Sequence, residues 1–391
     1  MRIALFTDTY PPEINGVATS CKSLRDILVK NGHDVLVVTT NPFNDEMLFE
    51  DNILRLPGKE LKWLYGYRLA NILSTKGFKE IRRFNPNIIH IQTDFSIGII
   101  GRNIAKKLNC PTIYTYHTMY EDYTYYVTKG HFDRIGKQIM RSYSKNTIMH
   151  YDGFITPSNK TKDYMRRIGV DIYANVIPTG VDFSKFLPDN LDKKKVDDLH
   201  KKFGIAKDEF ILLSLGRIAQ EKSIDFSITC FSRFLKDHPD IKVRMVIVGG
   251  GPAKAELEQL TKDLKIEDKV LFTGPCSPSE VQYYYSLGKA FVSASLSETQ
   301  GLTYMEAMAS HLYVLARYDH NLLDVIEEGN TGYFFESPEE FSKKLFKVYE
   351  LYKANDKAML DHALKSIEHY SIDTFYESVI KAYKQTIKRR W

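Results

Sequence analysis

Residues 2–39, RIALFTDTYPPEINGVATSCKSLRDILVKNGHDVLVVT, decide how this chain folds. RIALFT (2–7) is a short apolar run with strand character, and it gives way to Asp8 and the pair Pro11-Pro12. Between 18 and 30 the apolar residues recur at helical spacing, Asn31-Gly32 closes that helix, and VLVVT (35–39) is a second strand. Strand, helix, strand at this pitch is a βαβ unit. It requires a parallel sheet covered on both faces.

The same rhythm runs outward from that unit. IIHIQ (88–92), TIYTY (112–116) and GFIT (153–156) read as strands, with helical spacing over 68–84, 98–108, 131–149 and 159–168. The pattern then pauses at PTGVDFSKFLPDNLDKKKVDDLHKK (178–202), which is polar and has no apolar period. A second series follows in FILLSL (210–215), RMVIV (244–248), VLFT (270–273), AFVSA (290–294) and LYVLA (312–316). The expected fold is therefore α/β, with two Rossmann-like doubly wound domains facing a cleft. Residues 1–185 form the first domain, 186–202 a linker, 203–370 the second domain, and 371–391 a helix free to return to the first. In open α/β sheets ligands lie beyond the C-terminal strand ends, so the loops there are the places to look for chemistry.

Composition narrows the class. The chain has 391 residues, 43% hydrophobic and 26% charged, which suits two folded domains and excludes disorder or a coiled coil. No run approaches the roughly 18 apolar residues of a membrane span, and MRIALFTDTYPPE reads as a first strand, not a signal peptide. Cys21, Cys110, Cys230 and Cys276 lie far apart with no C-x-x-C, which implies free thiols and a cytoplasmic setting. Net charge is +5, but residues 51–150 hold 16 Lys and Arg against 7 Asp and Glu, while the remainder is acidic on balance. A local basic surface suits an anionic membrane or a nucleic acid; a solvated face of Lys-rich helices gives the same count.

Several loops carry groups suited to a nucleotide sugar. Gly16 stands between the first strand and helix, where it lets a ligand approach the backbone, or simply makes a turn. SLGRIAQEKS places Arg217 and Lys222 just beyond a strand, a fork and a point charge that fit a diphosphate; Glu221 beside them offers a surface ion pair instead. VIVGGGP ends a strand with Gly249, Gly250 and Gly251, read as a tight turn. In SLSETQGLTYMEAMAS, Glu298 lies in a loop, and Gly301 opens a helix carrying Glu306. The N–H groups of Gly301, Leu302 and Thr303 point at any phosphate placed there, and the two carboxylates suit sugar and ribose hydroxyls.

In the first domain TYHTMYEDYTYY puts His117 at a strand end, within a Tyr-rich stretch holding Tyr114, Tyr116, Tyr120, Tyr123, Tyr125 and Tyr126, either core or the wall of an acceptor site. Arg134, Lys137, Arg141 and Lys145 recur as one basic stripe beside Phe132, Ile135, Ile139 and Met140. Upstream, KELKWLYGYR sets Trp63, Tyr65 and Tyr67 among Lys59, Lys62 and Arg68. Basic residues with interleaved aromatics suit a protein lying on an anionic bilayer. A nucleic acid would use the same ingredients, but the aromatics sit beside helical apolar residues and not on strands, which favours the membrane.

In this order, Gly16, His117, Arg217 with Lys222, and the E-x7-E element Glu298–Glu306, the chain resembles glycosyltransferase family 4 over nearly its whole length. IIHIQTDFSIGIIG and YHTMYEDYTYYVTKG resemble, more narrowly, the bacterial diacylglycerol glucosyltransferases. The resemblance implies a GT-B fold and a retaining transfer of glucose from UDP-glucose to diacylglycerol. The setting it implies is peripheral, on the cytoplasmic face of the cell membrane. In this chain Gly16 would admit the diphosphate and His117 would bind the donor sugar. Arg217 and Lys222 would neutralise the leaving group. Glu298, Gly301 and Leu302 would bind the sugar and phosphate, and Glu306 the ribose. No D-x-D with a metal site appears, so cations would stand in for a metal, and no tightly bound cofactor is expected. The alternatives are a galactosyl-transferring lipid enzyme, a soluble family 4 enzyme with a non-lipid acceptor, a UDP-sugar epimerase, and a nucleic-acid binder that would leave Glu298, Glu306 and His117 idle.

Overall fold

The computed structural model describes residues 1–390 apart from 14, 62–66, 71–74, 118–132, 171–172, 297 and 299. The chain divides into two compact units, Met1–Gly180 with Ile372–Trp391, and Val181–Ser371.

The first unit contains strands β1 (Arg2–Phe6), β2 (Asp34–Thr40), β3 (Leu48–Glu50), β4 (Ile53–Leu56), β5 (Gly58–Leu61), β6 (Tyr67–Ala70), β7 (Ile88–Ile91), β8 (Thr112–Thr115), β9 (Gly153–Thr156) and β10 (Asn175–Val176). Eight of them form one sheet in the order β10-β9-β8-β7-β1-β2-β4-β3, parallel except for the edge pair β3–β4. Register explains why the sheet needs both faces covered. Ile3 lies opposite Val35 and Ile88, and all three enter one buried cluster; Ala4, Leu36 and Ile89, one residue on, enter the other.

Helix Ile372–Arg390 belongs to this unit, so the last segment does return to the first domain. It buries Phe375, Val379, Ile380 and Tyr383 in the cluster of Ile3, Leu5 and Val35. Each such apolar side chain removed from water is worth roughly 1.5–3 kcal/mol. At its far end the Arg390 guanidinium pairs with Asp152 at 2.6 Å.

The second unit is a six-stranded parallel sheet of β11 (Phe210–Leu215), β12 (Val243–Val248), β13 (Val270–Gly274), β14 (Ala290–Ser293), β15 (Tyr313–Arg317) and β16 (Tyr333–Phe335), in the order β13-β12-β11-β14-β15-β16. It too alternates, with Ile211 and Leu213 on one face and Phe210 and Leu212 on the other.

Two readings of the sequence are corrected. Of the helical spacing over 68–84, Thr75–Phe84 is a helix, but Tyr67–Ala70 is a strand paired antiparallel with Gly58–Leu61. Gly58 makes that hairpin fit: a Cβ there would lie 2.7 Å from the Leu69 carbonyl oxygen. The stretch 186–202 is part of the second unit and not a free linker. Phe186 is buried against the Tyr285 ring, and helix Lys193–Phe203 is capped by the Asp192 carboxylate and ended by Gly204 at φ 59°. Its density of Lys and Asp masks the few apolar contacts that anchor it.

Candidate active site

In the second unit the strand order reverses between β11 and β14, which makes the loops after these two strands neighbours. These loops carry the residues singled out above. Lys222 follows β11, Glu298 follows β14, and the Lys222 ammonium donates to the Glu298 carboxylate at 2.7 Å. Glu221 pairs with Arg217, not with its neighbour Lys222, and leaves the Arg217 side chain 67% exposed at the mouth of the loop. Both basic side chains are thus held by carboxylates in positions from which a more strongly charged ligand can take them over.

The glycine run has a structural account. A Cβ on Gly249 would lie 1.9 Å from the Gly216 carbonyl oxygen, and one on Gly251 would lie 2.1 Å from that of Ile218. Their φ values, 153° and 158°, also exclude ordinary side chains. Gly250 accepts the Ile218 N–H at 2.9 Å. The turn exists so that the backbone after β12 can pack directly under the loop that carries Arg217.

Gly301, at φ 73°, is the N-cap of helix Leu302–Ala309. The helix ladder begins with the Tyr304 and Met305 N–H groups, both donating to the Gly301 carbonyl, so those of Leu302 and Thr303 stay outside it. One and a half turns on, Glu306 receives the Tyr285 hydroxyl at 2.8 Å. Burial pushes the Glu306 carboxyl up to about 7, against the opposing pull of the Tyr285 hydrogen bond and the Lys185 charge. Asn321 steadies the loop by donating to the Glu298 carbonyl at 2.9 Å. Tyr285 and Asn321 lie outside every motif. They come from the helix before β14 and the turn after β15, and no spacing rule links them to Glu306 and Glu298.

In the first unit the reversal falls between β1 and β7. Asp8, at the end of β1, ties the two loops together. Its buried carboxylate accepts from the Ser96 hydroxyl and Thr93 hydroxyl, both at 2.7 Å, and from the N–H groups of Ile97 and Phe95. Beside it Asn15 caps helix Gly16–Lys30 through the Ala18 N–H. Gly16 is the first residue of that helix. No described atom lies within 4 Å of where its Cβ would sit, and its φ is not positive. A turn requirement therefore does not account for this glycine, and the space outside it is open.

His117 follows β8, and its Nε2 lies 2.6 Å from the Gln92 side-chain oxygen. Burial lowers its pKa to about 4, so the ring is neutral at physiological pH. Gln92 in turn lies beside His90, whose two ring nitrogens are 2.7 Å from the Tyr383 and Thr115 hydroxyls. A cavity of about 10 Å³, room for one water, is lined by His90, Gln92, Thr115, His117 and Thr179 among others.

Tyr114 and Tyr116 are core, each 1% exposed. Tyr120, Tyr123, Tyr125, Tyr126, Phe132, Trp63 and Tyr65 lie outside the described residues, as do the side chains of Tyr67, Arg134, Lys137, Ile135, Ile139 and Met140. Arg141 and Lys145 are exposed on helix Asp133–Ile148. The four cysteines are free, and burial pushes the thiols of Cys21, Cys110 and Cys230 up to about 12. Among the described residues no three metal-ligating side chains converge, and no helix is long and apolar enough to cross a membrane.

Two largely parallel α/β sheets, each reversing its strand order beside polar loops, together with solved neighbours of the same architecture, give this chain a GT-B fold. The Anabaena protein HepE, solved with UDP and glucose, superposes with a TM-score of 0.74 over 98% of this chain and all of its own, at 14% identity, a likeness of fold alone. Residues 14–185 match the model of Glycosyltransferase Family 4, and residues 195–361 that of Glycosyl transferases group 1. The chain belongs to glycosyltransferase family 4. It is 39% identical to the alpha-monoglucosyldiacylglycerol synthase of Streptococcus pneumoniae across 85% of this chain and 74% of that protein. To the synthase of the same name from Acholeplasma laidlawii it is 36% identical, across 89% and 88%.

Proposed function

We propose that this enzyme moves glucose from UDP-glucose to diacylglycerol, with retention at the anomeric carbon, while lying on the inner face of the cell membrane. The observation that carries the reading is the likeness, along most of the chain, to two synthases of monoglucosyldiacylglycerol. Cleaving the sugar C1–O bond leaves negative charge on the diphosphate. Arg217, Lys222 and the free N–H groups at Leu302 and Thr303 are the groups suited to meet it, and they supply what a metal would otherwise supply. Glu298 and Glu306 accept hydroxyls, the first from the sugar and the second from the ribose. Gly16 leaves the backbone open to the diphosphate, and neutral His117 hydrogen-bonds the donor sugar. The acceptor hydroxyl attacks from the face the diphosphate leaves, and the leaving phosphate takes its proton. The excess of Lys and Arg in 51–150 supports docking on anionic lipid, at roughly 1 kcal/mol for each basic residue near the surface.

Incubation of the enzyme with labelled UDP-glucose and mixed anionic vesicles containing diacylglycerol tests the reading. A labelled glycolipid is the expected product, and UDP-galactose should compete poorly. Label that passes only to a water-soluble acceptor would refute the lipid assignment.

A further inference from the structure

The chain His117–Gln92–His90–Tyr383 is not accounted for by the motifs of the donor site. It joins the end of β8, the end of β7 and the C-terminal helix through side chains alone. A side-chain amide oxygen only accepts hydrogen bonds, so the 2.6 Å contact from Gln92 requires the proton of neutral His117 to sit on Nε2. The other end of the amide is placed by His90. The Gln92 amide nitrogen lies 3.0 Å from His90 Nε2 and 3.2 Å from its Nδ1, which orients the oxygen toward His117. His90 is 1% exposed and clamped between two hydroxyls, and its pKa is lowered to about 3 by burial and by His117. One of the clamping hydroxyls belongs to Tyr383, fully buried on helix Ile372–Arg390, with its ring edge-on to the imidazole at a centroid distance of 5.4 Å.

We propose that Gln92 is a positioning residue that fixes His117 as its Nε2–H tautomer and leaves Nδ1 as a hydrogen-bond acceptor. Tyr383, acting through His90, holds Gln92 in that orientation, so the C-terminal helix sets the chemistry of a residue just beyond the end of β8. The consequence for catalysis rests on the reading that His117 binds the donor sugar: a sugar hydroxyl then donates to Nδ1, and the opposite tautomer would meet it with a donor.

The test is a two-bond proton–nitrogen spectrum of the full-length protein with labelled histidine at pH 7.5, the His117 signals assigned by the loss seen in His117→Asn. The wild type should show the Nε2–H form alone. Gln92→Leu should show both tautomers in exchange and, in the transfer assay, lose about tenfold in kcat. Gln92→Glu keeps an acceptor in the same place and should restore the single tautomer. Tyr383→Phe keeps the buried ring and should give a mixture intermediate between the wild type and Gln92→Leu. A wild-type His117 in the Nδ1–H form, or a tautomer unmoved in Gln92→Leu, overturns the proposal. The spectrum needs no substrate, so failure of the diacylglycerol reading would appear in the transfer assay while the tautomer was still decided.

Discussion

The two units solve different electrostatic problems on sheets that reverse their strand order in the same way. In the second, the loops at the strand reversal hold charges in pairs, Lys222 on Glu298 and Arg217 on Glu221. In the first, the ends of β7 and β8 hold a neutral group of His90, Gln92 and His117, in which both histidines are pushed well below physiological pH by burial. Paired charges suit a ligand whose own charge grows during reaction, because the cations are already in place when that charge appears. An uncharged array suits a sugar, which offers only hydroxyls. On the proposed function, the second unit stabilises the transition state and the first orients the sugar.

Breaking the charged side should cost most. Lys222→Ala removes the cation and leaves Glu298, 13% exposed, without its partner, so kcat should fall by about 10² or more. A fall of only a few-fold would move the burden elsewhere. Glu306→Gln should weaken UDP binding by about tenfold or more, since a charged acceptor becomes a neutral one. Calorimetry should also show wild-type affinity for UDP rising as pH passes upward through about 7, where Glu306 ionises, with this rise absent from the variant. Stability should move the other way. A carboxyl whose folded pKa is raised from 4.5 to about 7 holds more protons folded than unfolded, so the protein loses stability as pH rises across that window. Glu306→Gln should therefore have the higher Tm at pH 8.

On the neutral side the expected effects are smaller. Gly16→Ala should lower kcat/KM for UDP-glucose by about tenfold through a methyl group in the ligand's space. Its stability should stay within about 0.5 kcal/mol of the wild type or rise, because the position is helical and open. A fall in Tm would mean that the glycine serves the fold after all. Smallest per residue is the membrane term: vesicle binding should strengthen with anionic lipid and weaken as salt is raised, since screening acts within about 8–10 Å. Binding indifferent to salt would leave the basic excess in 51–150 as an ordinary solvated surface.

Much of this was legible in the sequence, and the reasons are local. Apolar runs such as RIALFT and FILLSL fix parallel strands because a doubly covered sheet leaves them no other pattern. Arg217, Lys222, Glu298 and Glu306 could be singled out as candidates because each lies just beyond a strand end or on the helix that follows. Pairing was not legible: Glu221 sits beside Lys222 in the chain but turns to Arg217. Helical spacing misled at 68–84, where Gly58 permits a hairpin that periodicity cannot register. His90 and Tyr383 are 293 residues apart, and only the return of the last helix brings them together.

The most direct test of the central claim is the anomeric proton spectrum of the lipid formed from UDP-glucose and diacylglycerol vesicles. A single glucose in α linkage on diacylglycerol, matching the α configuration of the donor, is the expected result. A β-linked product, or free glucose with no lipid product, would contradict it.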